Sequence, residues 1–340
     1  MTVRETVFLE MDEAWQKAYV EQKASGISPL RFEPVTVQDT PQDLQGVSVL
    51  SVFINSRVDA GVFDRMPNLK LISTRSTGYD HIDLQEAKRR GILVCNVPTY
   101  GENTVAEHTF ALILSLSRNL RKAYFKTRDG DFSLEGLMGF DLKGKVLGVI
   151  GTGHIGLHVI RMAKGFGLEV LAYDVKENHF IADMLGFSYV PLEELLAKSD
   201  IVSLHLPYMK ATHHLMNKDN MSKMKRGAIL VNTARGGLVE TAALVQALDQ
   251  GILAGAGLDV LEGEELILEE KRLLETTEHQ ADWEKLQLTL KNHILLHRDN
   301  VIYTPHMAFY SKEAVMRILD TTLNNIRCFL AGAPENLVSF

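Results

Sequence analysis

The sequence predicts an α/β protein made of two doubly wound parallel-sheet domains. Three observations carry that expectation. Short apolar runs alternate with helical stretches through the first hundred residues. A strand, a glycine-rich turn, a helix and a second strand follow one another from Lys145 to Asp174. The same alternation then continues to about residue 304. Alternating β and α elements imply parallel strands with helices on both faces. At 340 residues the chain is long enough for two hydrophobic cores.

Val7–Leu9, Val49–Ile54, Leu69–Ser73 and Ile92–Val94 are apolar runs of the length expected for strands buried on both faces. Helical stretches around Glu13–Ala24 and Leu84–Arg90 separate them, and Gly91 stands where a helix C-cap is expected. The turn-rich Val97-Pro98-Thr99-Tyr100-Gly101 ends this first unit. One long helix is expected next, roughly Thr104–Phe125, apolar on more than one face and therefore a candidate dimer contact. After Asp174, Pro191–Lys198 and Glu240–Leu248 read as helices. Ile201–Leu204, Ala228–Asn232, Gly255–Val260 and Val301–Thr304 read as strands, so the second sheet should have six or seven. The stretch 265–300 is charged, leucine-rich and helical in period, and reads as one or two helices inserted between two strands. Ser311–Leu330 is an amphipathic helix, and Leu337 and Val338 are apolar enough to pack back onto the first unit.

Composition narrows the class. The net charge is −7, and no basic cluster is present to form a nucleic-acid footprint. Two cysteines, Cys95 and Cys328, supply neither a disulfide framework nor a metal-ligand spacing, and are expected to be buried, reduced thiols. The N-terminal MTVRETVFLEMDE lacks the pattern of a secretory signal, and the most apolar window, Phe110–Leu116, is too short to span a bilayer. A cytoplasmic protein without membrane partners is the expectation.

The stretch KVLGVIGTGHIGLHVIRMAKGFGLEVLAYD carries the first functional signal. Gly151, Gly153 and Gly156 fall in the G-x-G-x-x-G spacing between a buried strand and a helix. That spacing supplies a tight turn, backbone approach to a pyrophosphate and close helix–strand packing. The helix N-terminus then faces the phosphates. Asp174 ends the next strand, where its carboxylate can accept hydrogen bonds from a ribose diol and would repel a 2′-phosphate. The expected cofactor is NAD, in a Rossmann domain.

Ligands of open parallel sheets bind beyond the carboxyl ends of the strands. Arg235, Glu264 and His306 each follow a different expected strand at that end. With a nicotinamide cofactor the reaction class is hydride transfer, whose electrons come from the cofactor. A histidine can exchange the accompanying proton, a neighbouring carboxylate stabilises an imidazolium, and an arginine can fork onto a substrate carboxylate.

These residues sit within motifs that resemble those of the D-isomer-specific 2-hydroxyacid dehydrogenases, most closely the D-lactate dehydrogenase-like branch. The motifs are STRSTGYDHID (73–83), NVPTYGENTVAEH (96–108), VIGTGHIG (149–156), VSLHLP (202–207), VNTARGG (231–237), GLDVLEGEE (257–265) and TPHMAFY (304–310). The resemblance implies catalytic roles for Arg235, Glu264 and His306. It implies that Asp259 lies near the nicotinamide carboxamide. His154, Ile155, His205, Pro207, Thr233, Ala234 and His306 would join the cofactor site. Thr77 and Gly78 would hold the substrate carboxylate, with Tyr100 and Phe309 lining its pocket, and no metal is implied. It further implies a flavodoxin-like substrate domain of residues 1–101 completed by 308–340, an NAD domain of 102–307, a cleft between them, and a homodimer.

Two departures bear on the substrate. Many D-lactate enzymes of the family place a bulky aromatic just after the Val49–Ile54 strand. Asn55 and Ser56 stand here, implying more room than pyruvate needs. The 265–300 insertion is also long. The expected activity is reversible reduction of a 2-oxo acid to a D-2-hydroxy acid. An enzyme for glyoxylate, hydroxypyruvate, phosphoglycerate or a bulkier aromatic 2-oxo acid stays open, as does an NADH-sensing, corepressor-like binding protein.

Overall fold

The structure is a computed structural model that describes residues 5–339 except 28, 42 and 265–281. The chain divides into two compact units, Met1–Tyr100 with Ser311–Phe340, and Gly101–Tyr310.

The first unit holds β1 (Thr6–Phe8), α1 (Ala14–Lys23), β2 (Leu30–Phe32), β3 (Val49–Val52), α2 (Ala60–Asp64), β4 (Leu71–Thr74), α3 (Leu84–Arg89) and β5 (Leu93–Cys95). All five strands are parallel, in the order β2-β1-β3-β4-β5. That is the flavodoxin-like order. Its core gathers Val7, Leu50, Val52, Phe63, Ile72 and Val94. The tail packs here as its two apolar residues suggested. Leu337 bridges to Cys95, and Val338 is buried with its N–H donating to the Val94 carbonyl at 2.9 Å.

Arg75 is buried in this unit. Its guanidinium donates to the carbonyls of Leu9, Glu10 and Ser51, and burial lowers its pKa to about 10, so it stays charged. Ser56 turns into the core, where its hydroxyl accepts the Val37 N–H at 3.1 Å. Of the two small residues expected to leave room beside the substrate, Ser56 is thus committed to the fold. Cys95 is buried with its pKa pushed up to about 11, whereas Cys328 is only half-buried.

The second unit starts with α4 (Glu102–Ser117) and α5 (Leu120–Arg128). The single helix expected over 104–125 is broken. Asn119 adopts φ 50°, and the chain returns at 137–140 to take the end of α4, with Phe140 N–H bonding the Ser117 carbonyl at 2.9 Å. Asparagine tolerates the left-handed region better than most residues. The unit continues with β6 (Val146–Ile150), α6 (His154–Gly165), β7 (Glu169–Tyr173), α7 (His179–Leu185), β8 (Ser188–Tyr189), α8 (Leu192–Lys198), β9 (Ile201–Leu204) and α9 (Lys218–Ser222). It then forms β10 (Ala228–Asn232), α10 (Thr241–Asp249), β11 (Leu253–Leu258), α11 (Asp282–Leu296) and β12 (Val301–Tyr303). Helix α11 lies in the predicted insertion, of which residues 265–281 are outside the described residues. Helix α12 (Lys312–Leu330) belongs to the first unit and buries a stripe from Ala314 to Phe329.

The seven strands are parallel, in the order β12-β11-β10-β9-β6-β7-β8. The direction of winding reverses between β6 and β9, the switch point of a Rossmann sheet. Side chains alternate across it, with Leu230 in one core layer and Ile229 and Val231 in the other. The glycines of β11 let α4 lie close, since a Cβ on Gly257 would stand 3.0 Å from that of Leu112.

Candidate active site

The glycine turn leaves β6 at the switch point. Gly151 has φ 98°, and a Cβ there would stand 2.5 Å from the His205 carbonyl oxygen that follows β9. A Cβ on Gly156 would stand 2.0 Å from the Gly151 oxygen. Both positions therefore require glycine. Gly153 differs: it caps α6 in extended conformation with open space beside it. That space lies over the free N–H groups of α6, where a pyrophosphate would approach.

Asp174 ends β7 facing this turn. One carboxylate oxygen accepts the Thr152 N–H at 2.7 Å and the Thr152 hydroxyl, and the other accepts the Lys176 N–H at 2.9 Å. Burial opposes its ionisation, but the backbone donors and the hydroxyl together hold its pKa below the usual carboxylate value. An ionised acceptor is therefore fixed beside the turn, as an adenosine ribose requires. The open cradle at Gly153 and this anionic acceptor fit a dinucleotide without a 2′-phosphate. His154 and Ile155 begin α6, with His154 exposed and Ile155 partly packed into the core.

His205 follows β9 and hydrogen-bonds the Ser203 hydroxyl through Nε2 at 2.8 Å. Burial pushes its pKa down to about 3, so the ring is neutral. Pro207 is exposed two residues on, its carbonyl accepting the Thr212 hydroxyl.

Three further strand ends carry the residues expected to react. After β10 the Asn232 side chain shapes the turn, accepting the Ala234 N–H and donating to the Arg235 carbonyl. Arg235 is half-buried, with one guanidinium nitrogen on the Ala234 carbonyl at 2.7 Å. Gly236 packs so tightly that a Cβ would meet the Leu261 oxygen at 2.0 Å. The turn bearing Arg235 therefore lies against the segment after β11 that leads to Glu264. Glu264 accepts the Leu261 N–H through Oε2 at 3.1 Å and faces His306 Nδ1 through Oε1 at 2.9 Å.

Asp259 organises the loop bearing His306. Its carbonyl accepts the His306 N–H at 2.8 Å, and its carboxylate accepts the Met307 and Ala308 N–H groups and the Thr304 hydroxyl. Burial opposes its charge, but these donors and His108 hold its pKa low. His306 itself sits at φ 51°, a backbone state a non-glycine residue enters only when neighbours enforce it.

The remaining expected residues are placed as follows. Thr233 is buried, its hydroxyl 3.0 Å from that of Thr109 on α4. Phe309 packs edge-on against Tyr310 in the second unit. Thr77, Gly78 and Tyr100 belong to the first unit. There the Thr77 hydroxyl bonds the Val97 carbonyl, and the Gly78 carbonyl accepts the Ser76 hydroxyl. Sequence reasoning passed over Asn232, Thr304 and His108. The signal was their proximity to assigned residues within the same motifs.

A family model described as D-isomer specific 2-hydroxyacid dehydrogenase, NAD binding domain, matches residues 110–308. A D-lactate dehydrogenase of Curvularia clavata is 40% identical over 298 residues, covering 87% of this chain and 82% of that one. A glyoxylate reductase of Korarchaeum cryptofilum is 38% identical over 287 residues, covering 83% and 80%. Among solved structures, a D-lactate dehydrogenase from Aquifex aeolicus complexed with NAD and lactic acid superposes with a TM-score of 0.84 at 38% identity, covering 96% of each chain. With a Rossmann sheet, a dinucleotide cradle and a histidine–carboxylate pair at its strand ends, the chain belongs to the D-isomer-specific 2-hydroxyacid dehydrogenase family and is an NAD-dependent oxidoreductase of the CH–OH group.

Proposed function

We propose that the protein interconverts a small 2-oxo acid, of pyruvate size or somewhat larger, and its D-2-hydroxy acid, with Arg235, Glu264 and His306 as the catalytic residues. The observation that carries the assignment is the 2.9 Å pair of His306 and Glu264. Bound NADH supplies the two electrons, as hydride to the C2 carbonyl carbon. Gly151, Gly153, Gly156 and the start of α6 with His154 and Ile155 hold the dinucleotide, and Asp174 selects its ribose. His205, Pro207, Thr233, Ala234 and Asp259 complete the cofactor side.

His306 donates the proton from Nε2 to the carbonyl oxygen as negative charge develops there, and takes it back in the oxidative direction. Glu264 accepts a hydrogen bond from the ring's Nδ1–H, which fixes the ring's orientation and stabilises the imidazolium that donates. Arg235 forks onto the substrate carboxylate and polarises the carbonyl. The backbone of Thr77 and Gly78 is assigned to the same carboxylate, and Tyr100 and Phe309 to the substrate's side chain. Asn55 is small and polar, which supports a side chain larger than methyl.

Steady-state assay of a panel of 2-oxo acids with NADH and with NADPH tests this. Turnover of pyruvate or its slightly larger homologues, with NADH preferred, is the expected result. A preference for glyoxylate or hydroxypyruvate would move the substrate assignment within the family. Tight NADH binding without turnover of any acid would overturn the enzymatic reading.

A homodimer is proposed on the segment after α4. Leu120, Tyr124, Phe132, Leu134 and Met138 are exposed, the last three by 79%, 84% and 94%. Several large apolar side chains left exposed within one short segment are a feature that an interface would explain. Its test is sedimentation of the protein and of a Phe132→Ser, Leu134→Ser variant, which should be monomeric. Free thiols at Cys95 and Cys328 support a reducing, cytoplasmic setting.

A further inference from the structure

We propose that His108 is a positioning residue for the reduction, acting through Thr304 and Asp259 on the backbone that presents His306. The proposal rests on the assignment of His306 as proton donor.

The hydrogen-bond directions can be worked out from donor counts. The Asp259 carboxylate is an acceptor only, and its Oδ1 lies 2.5 Å from the Thr304 hydroxyl. Thr304 therefore gives its single hydroxyl proton to Asp259. Its oxygen, 2.9 Å from His108 Nε2, can then only accept, so His108 carries its proton on Nε2. The same Nε2 lies 3.5 Å from Asp259 Oδ1. A chain of donors thus runs from α4 through Thr304 into a carboxylate whose side chain is 1% exposed. That carboxylate also accepts the backbone N–H groups of Met307 and Ala308, the two residues after His306.

His306 stands between these anchors at φ 51°, its own N–H bonded to the Asp259 and Thr304 carbonyls at 2.8 and 2.9 Å. A left-handed residue relaxes unless both sides of it are pinned. Asp259 pins the residues after His306, and the Thr304 hydroxyl pins the residue two before it. His108 orients that hydroxyl. Without the Nε2–H donor, Thr304 would be free to rotate its proton away from Asp259.

The next residue on the helix repeats the arrangement for the other catalytic loop. Thr109 donates to the Val105 carbonyl at 2.8 Å, so its oxygen accepts the Thr233 hydroxyl at 3.0 Å, two residues before Arg235. Consecutive side chains of α4 thus hold the strand ends that bear His306 and Arg235. His108 belongs to the NTVAEH motif, and its Nε2 faces Thr304 and Asp259, neither of which is assigned to the proton or hydride transfer itself.

The test compares His108→Phe, which keeps a ring and removes the donor, with His108→Gln, whose Nε2 amide can donate from nearly the same place. His108→Phe should lower kcat for 2-oxo acid reduction about tenfold or more, as expected when a reacting group is displaced by a fraction of an ångström. Its Kd for NADH, read from nicotinamide fluorescence, and its melting temperature should stay near the parent's. His108→Gln should recover most of the loss. Thr304→Val cuts the same chain, so the double variant with His108→Phe should be no slower than the slower single one. Parent-like kcat in His108→Phe would overturn the proposal. So would equal losses of kcat in the Phe and Gln variants, or losses that add in the double variant. His306→Gln run alongside separates the two assignments. If that variant still turns over, the proton-donor reading fails; if it is dead while His108→Phe is normal, only the positioning role fails.

Discussion

Nδ1 of His306 lies 2.9 Å from Oε1 of Glu264, and the second oxygen of that carboxylate accepts the backbone N–H of Leu261. A carboxylate accepts and does not donate, so the imidazole proton facing it sits on Nδ1. Nε2 is then the ring nitrogen left for the proposed proton donation.

Replacing His306 by glutamine removes the only imidazole in this pair. Turnover should fall by about 10²–10⁴, the span of general acid–base contributions. Kd for NADH, measured by fluorescence titration, should change by less than about twofold, since the glycine turn is untouched. Undiminished turnover would refute the assignment.

Glu264→Gln keeps the shape of the pair and removes its charge. The amide can still accept the Nδ1 proton, so the ring keeps its place, but the imidazolium loses a neighbouring anion. A loss in kcat of about 10- to 100-fold is expected, equivalent to ~1.4–2.8 kcal/mol of transition-state stabilisation. Stopped-flow measurement of the chemical step distinguishes this from slower product release.

A methyl group at position 156 has nowhere to go. Its Cβ would stand 2.0 Å from the Gly151 oxygen, so Gly156→Ala must push α6 away from the turn. Overpacking of this kind costs about 1–3 kcal/mol. NADH affinity should weaken by about 10- to 100-fold, measured by calorimetry, with the 2-oxo acid KM less affected. Gly153→Ala meets no protein atom, so it should lower NADH affinity while leaving the melting temperature of the protein alone unchanged.

The pH dependence of folding has a specific source in His205. Its folded pKa is about 3, against an ordinary value of 6.5. Between those values the unfolded chain binds a proton that the folded chain refuses, so stability is fully present above about 6.5 and is lost as pH falls toward 3. The slope is at most ~1.4 kcal/mol per pH unit from one group. His205→Gln removes that proton uptake, so its melting temperature should fall less between pH 7 and pH 5 than the parent's. An identical decline in both proteins would show that His205 does not carry the effect.

The glycine turn and the strand-end residues were legible because each depends on local pattern. Gly151, Gly153 and Gly156 declare themselves by spacing, and Arg235, Glu264 and His306 by following apolar runs. The break at Asn119 was hidden because it depends on residues 137–140 returning to bond Ser117. Strands β2 and β8 were passed over because each is only two or three residues at a sheet edge, too short for a period. The short helices α2, α7 and α9 escaped for the same reason. The small residue Ser56 invited a reading as substrate space, but the Val37 N–H, nineteen positions away, draws it inward. Likewise His108 shows its use only once α4 and the loop after β12 are brought together, 196 residues apart in sequence.

The first unit is assembled from both ends of the chain, with α12 and the Leu337–Val338 segment packed on residues 5–100. The second unit is one uninterrupted stretch, residues 101–310. During synthesis, then, the cofactor-binding unit is complete while the first unit still lacks a helix and the partner of its edge strand. Nascent chains stalled after residue 310 should hold a protease-resistant fragment of the second unit, while residues 1–100 remain readily cleaved until Val338 has emerged.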